Sequence, residues 1–213
     1  PQYENANLSP YGWIPKIGDD EKSDPFHYGY SLIEQIRETP FQEIGCHTFS
    51  HYYCLERGQT TETFRADMEA AIAIANKRGV KLESLVFPRN QFNENYLSVC
   101  AQLGFKTYRG NERSWLYRAR NREDETLLRR AFRLADTYIN VSSHNTHALS
   151  GGENWPIDLP SSRFLRPYSR KLAPLDGLRF QRIAQDMTFA AQNGELFHLW
   201  WHPHNFGANT QEN

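Results

Sequence analysis

The sequence lacks a surplus of charge of either sign: across its 213 residues, 24 Lys and Arg face 25 Asp and Glu, for a net charge of -1. The concentrated positive field that a nucleic-acid surface needs is therefore missing, and nucleic acid is not an expected partner. Cysteine is scarce. Cys46, Cys54 and Cys100 are an odd number without a paired framework, which fits a reducing compartment, so a cytoplasmic location is expected. No apolar run approaches the roughly 20 residues of a membrane span, and no basic segment followed by an apolar one opens the chain. No HExxH is present, so no glutamate base sits between paired histidines in the manner of that class of zinc hydrolase.

What is present, 39% hydrophobic side chains over this length, suffices for one sizeable core, and the chain reads as a single domain over residues 1–213. Residues 1–40 read as a loop or insertion region, with GDDEKSDP (18–25) as an exposed loop, and residues 41–207 carry the motifs. Short helices are expected over 31–38 and 123–134. From Thr61 to Lys77, Phe64, Met68, Ala71, Ile72 and Ala75 fall on one helical face, with Gly79 to end it. Asn93 caps a further helix that Gly104 ends, and Leu178–Gln192 forms another. Strands are expected at 43–46, 82–87, 105–108, 136–141 and 195–201, with a loop over 142–162. The alternation implies an α/β fold with a mainly parallel sheet, whose functional loops gather at the C-terminal strand ends.

Three polar clusters follow strand candidates. In EIGCHTFSH (43–51) two histidines stand four residues apart, a spacing that lets two imidazoles face one zinc, cobalt or nickel ion. By itself this spacing serves equally for two histidines satisfied by hydrogen bonds in a loop. The second cluster is FPRNQF (87–92), and the third is HLWWHPHNFG (198–207). EIGCHTFSH resembles the HTxSH-type motif of the polysaccharide deacetylases, the NodB-homology group of carbohydrate esterases; FPRNQF resembles the motif in which an arginine follows a proline; and LWWH matches the family's LxxH pattern.

The resemblance implies a distorted (β/α) barrel of the NodB-homology type, incomplete at the N-terminus. It implies His47 and His51 as metal ligands, with Thr48 and Ser50 orienting their loop. Arg89 would orient a catalytic carboxylate through a bidentate contact. Leu199 would line the acetyl pocket and His202 act as general acid. Trp115 and Trp201 are candidate sugar-stacking residues, with Trp155 and Trp200 as further aromatics. His198 and His204 read as structural. In YRGNERSW (108–115), Glu112 and Trp115 either stand in for the family's Asp and Trp, or Glu112 lies on a surface loop.

The family's first strand, which bears two aspartates, has no counterpart: Asp19 and Asp20 lie in a polar loop. The implied chemistry is removal of an N-acetyl or O-acetyl group from an amino sugar or polysaccharide in bacterial surface-polysaccharide metabolism. Zinc is the expected ion, with cobalt or nickel as alternatives. The oxyanion would be met by the ion and a backbone N–H near Tyr53 or a neighbour. With the first strand missing, the chain by itself is expected to be inactive, and to associate with itself or with a separate N-terminal segment. A non-catalytic carbohydrate-binding relative fits the same letters.

Overall fold

The structure, a computed structural model, describes residues 1–117, 126–148 and 156–211. Two compact units divide the chain, Pro1–Tyr108 and Arg109–Asn213. Trp155 and residues 123–125, the start of the helix expected over 123–134, lie outside the described residues.

The first unit opens with two short 3-10 helices, Ala6–Leu8 and Pro10–Lys16, and a turn around Asp20, followed by α1 (Tyr30–Glu38). Helix α2 spans Thr61–Lys77, the range its periodicity predicts. Thr60 and Thr63 hold its N-terminus in a reciprocal capping box. Its C-terminus closes on Gly79 at φ +67°, whose N–H reaches Asn76 O while the Val80 N–H reaches Ala75 O. The same device ends α3 (Glu94–Gln102), with Gly104 at φ +88° and the Phe105 N–H on Cys100 O. The expected strands contract to β1 (Ser84–Leu85) and β2 (Thr107–Tyr108), paired in parallel, with a single parallel bridge from Leu85 to Cys46 in place of a strand over 43–46. Tyr52, Phe64, Met68, Leu85, Phe87, Cys100 and Phe105 form the centre of an apolar core.

The second unit contains α4 (Leu127–Asp136), β3 (Ile157–Asp158), β4 (Arg163–Phe164), α5 (Asp176–Asn193) and β5 (Leu199–Trp200), with β4 and β5 parallel. The strand expected over 136–141 does not form. Asp136 instead ends α4, and its buried carboxylate accepts the N–H groups of Val141 (2.9 Å) and Ser142 (2.8 Å), turning the chain back on itself. Nor is 142–162 wholly loop, since His147 bridges Leu196 and β3 lies within it.

The interior of this unit is ionic more than oily. Helix α5 buries Arg179, Arg182, Ile183, Asp186 and Ala190. Arg163 donates to Asp186 at 2.7 Å and to the Asp136 carbonyl at 3.0 Å, and Arg182 also pairs with Asp186. Hydrogen bonds from Ser142 and Tyr117, with the Arg163 charge, outweigh the upward push of burial and hold the Asp136 carboxyl below its usual range. The architecture is thus mixed helix and parallel sheet. Among the described residues the strands are two residues long and close no barrel.

Candidate functional site

The segment after Cys46 is folded against the preference of its own backbone. Thr48 and His51 take φ values of +64° and +55°, and in the neighbouring FPRNQF turn Arg89 and Asn90 take +52° and +55°. Such left-handed conformations cost non-glycine residues on the order of 1–3 kcal/mol each and persist only where the surroundings enforce them. Asp67, buried on α2, is the main enforcer. Its carboxylate accepts the N–H groups of Phe49 (2.8 Å) and Ser50 (3.1 Å) and the Ser50 hydroxyl. Thr48 Oγ1 accepts the Tyr52 N–H at 2.7 Å, so Thr48 and Ser50 both orient this loop.

The result is a pair of exposed imidazoles, His47 and His51, with ring centroids 4.9 Å apart. His47 Nδ1 lies 2.7 Å from the Val86 carbonyl. A carbonyl only accepts, so the proton sits on Nδ1 and the lone pair on Nε2, the neutral tautomer that a metal ion requires. His51 Nδ1 lies 3.0 Å from the Tyr53 hydroxyl, which makes Nε2 its candidate ligand atom as well. Two such imidazoles would supply two of the four ligands of a tetrahedral zinc site. Among the described residues no group of three or more His, Cys, Asp or Glu is placed to share one ion. Burial pushes the Cys46 thiol up to about 11, and its sulfur accepts the Thr48 N–H, so it serves the loop. Asp20, fastened to Ser23 in an exposed turn, takes no part.

Arg89 sits beside this pair. Its guanidinium lies 4.0 Å over the Tyr53 ring, and Nη1 approaches Glu56 at 3.4 Å. The carboxylate facing Arg89 in this unit is thus Glu56, through one long contact where a bidentate one was expected. Gln91 donates to the same Glu56 oxygen at 3.1 Å. The backbone N–H of Tyr53 itself donates to the Tyr3 hydroxyl at 2.9 Å.

In the second unit, strand alternation puts Leu199 and Trp201 on one side and Trp200 on the other. Leu199 is half-buried, while Trp201 and His202 are exposed. Partial desolvation of this exposed ring, then the charge of His204, whose ring stacks 5.2 Å away, lowers the His202 pKa below its usual value. Trp115 is exposed and lines a different groove of about 620 Å³ with Arg113, Ser143, Asn145, Thr146 and Glu195. His198 Nδ1 is held by the Leu159 carbonyl at 3.1 Å.

Glu112 is buried at 5% exposure, which removes its surface-loop reading, and burial pushes its carboxyl above the usual range. A Cβ at Gly110 would meet the Asp158 carboxylate, with Oδ1 at 1.9 Å, so a side chain there would require Asp158 to swing aside. Arg109 lies 4.3 Å over the Trp200 ring, with burial taking it down to about 10. Sequence reasoning missed Asp67 and Glu56. Asp67 left one signal, a carboxylate between Phe64 and Ala71 on the apolar face of α2, whereas Glu56 left none.

Residues 19–108 match the family model described as polysaccharide deacetylase. The matched segment contains His47, His51 and Arg89 and ends before Trp115, Leu199, Trp201 and His202. No curated protein gives a significant match to the chain.

Proposed function

We propose, from the match of residues 19–108 to the polysaccharide deacetylase family model, that this chain is a metal-dependent hydrolase removing acetyl groups from an amino sugar or polysaccharide. The observation that carries the reading is the His47–His51 pair, held 4.9 Å apart on a strained loop with the His47 tautomer set for ligation. Helix α2 would hold the loop through Asp67, and Arg89 and Tyr53 would present their polar edges to the acetylated ring. A divalent ion bound there, zinc before cobalt or nickel, supplies Lewis-acid polarisation of the acetyl carbonyl and an acidified water. His202 is the proposed donor of a proton to the leaving amine, with Leu199, Trp115 and Trp201 contacting substrate. The fold this reading carries is a distorted (β/α) barrel of the NodB-homology type.

Three free, buried thiols support a reducing, cytoplasmic setting, and with it a role in assembling a bacterial surface polysaccharide. Fractionation that finds the protein only outside the cytoplasm would sink that part. With no group of three or more candidate ligands among the described residues, one rival stands beside it, a carbohydrate-binding relative without catalysis. Zinc titration calorimetry of the parent, His47→Ala and His51→Ala proteins, run beside acetate release from an N-acetylglucosamine oligomer, separates them. Zinc binding that both substitutions abolish, with acetate released by the parent, supports the hydrolase. Zinc affinity indifferent to both substitutions refutes it.

A further inference from the structure

Residues 1–18 precede the matched family segment, yet they are fastened to the loop that carries His51. The Tyr3 ring is buried and its hydroxyl accepts the Tyr53 N–H, the Glu4 N–H donates to Arg57 O at 3.2 Å, and Gln59 donates to Gln2 O at 3.0 Å. The seating is backbone-close: a Cβ at Gly58 would meet Gln2 O at 2.7 Å. From this anchorage the strap runs into the 3-10 helix Pro10–Lys16 and closes one side of a cleft of about 230 Å³. Asn7, Ser9 and Trp13 face that cleft from the strap, and His51, Tyr53 and Arg89 face it from the motif loops.

Trp13 is 60% exposed, so its large apolar surface contributes little to the core, and Lys16 lies 4.5 Å over its ring. An indole held in the open beside a polar cleft is suited to the face of a pyranose, whose C–H bonds carry partial positive charge towards the electron-rich ring. Asn7 and Ser9 add donors and acceptors of the kind that pair with sugar hydroxyls. The cleft is smaller than the roughly 300–1,000 Å³ of drug-sized sites, which suits one ring and not an extended chain.

We propose that Trp13 is a specificity-determining residue that stacks on one N-acetylated sugar ring beside His51 and Arg89. The proposal rests on the deacetylase reading and names a subsite for it. The test is titration calorimetry of the full chain with an N-acetylglucosamine pentamer, for the parent, Trp13→Ala and Trp13→Phe proteins, with zinc binding and acetate release measured alongside. We expect Trp13→Ala to weaken pentamer binding about tenfold and Trp13→Phe to restore most of it. Zinc affinity should be unchanged, and any effect on turnover should fall on KM and not on kcat. Equal affinity of the Trp13→Ala and parent proteins overturns the proposal, as does a parent that binds no pentamer. A parent that binds through Trp13 but whose zinc affinity is indifferent to His47→Ala and His51→Ala upholds the subsite and refutes the deacetylase reading.

Discussion

Replacing Asp67 with Asn tests whether the histidine pair is built by the loop beneath it. The carboxylate accepts three hydrogen bonds, from the N–H groups of Phe49 and Ser50 and from the Ser50 hydroxyl. Asparagine keeps one accepting oxygen and turns an NH2 group towards the remaining donor. One buried donor is left unmatched, at roughly 1–3 kcal/mol, and the other bonds lose their charge assistance, at about 1 kcal/mol in total. The expected loss is therefore about 3 kcal/mol, large against the left-handed strain at Thr48 and His51 that those bonds hold in place. The loop should relax and zinc affinity should fall roughly 10–100-fold, as when a residue supporting a ligand is removed. Urea denaturation and zinc calorimetry read the two effects, with Glu69→Gln on the exposed face of the same helix as control. An Asp67→Asn protein with parental stability and parental zinc affinity would refute the argument.

In the second unit, Asp186→Asn removes a charge that pairs with Arg163 and Arg182 in the interior. It should cost about 3–5 kcal/mol in urea denaturation, and a cost under about 1 kcal/mol would show that the cluster relaxes freely. Burial lowers the pKa of both His147 and His198 in the folded state. Their contribution is thus fully present above the unfolded histidine value of about 6.5 and is lost as pH falls through the folded values. Stability should decline below about pH 6.5 and the decline should flatten in His147→Gln; a slope that His147→Gln leaves unchanged argues against it. Gly194 ends α5 at φ +65° with open space where a Cβ would stand, so Gly194→Ala isolates backbone strain and should cost about 1 kcal/mol in denaturation. An unchanged midpoint would mean that the helix end re-forms without strain.

Local chemistry made the helices legible. Periodicity, the Asn93 cap and the glycines at 79, 104 and 194 act within a few residues of one another, so the sequence by itself determined α2, α3 and α5 nearly to the residue. HTFSH, by its resemblance to a known motif, pointed to His47 and His51 before any geometry was in hand. Strand length was not legible, because pairing depends on partners distant in the chain, and most expected strands shrank to two residues. The strand over 136–141 failed because a side chain, Asp136, took the N–H groups that a sheet would have used. Only tertiary structure decided that Asp67 braces the histidine loop, that Glu56 faces Arg89, that Glu112 is buried and that residues 1–16 wall a cleft beside His51. The physical reason is common to all four. A charge or an aromatic ring has the same letter on a surface as in an interior, and only the neighbours brought by folding fix its partners and its exposure.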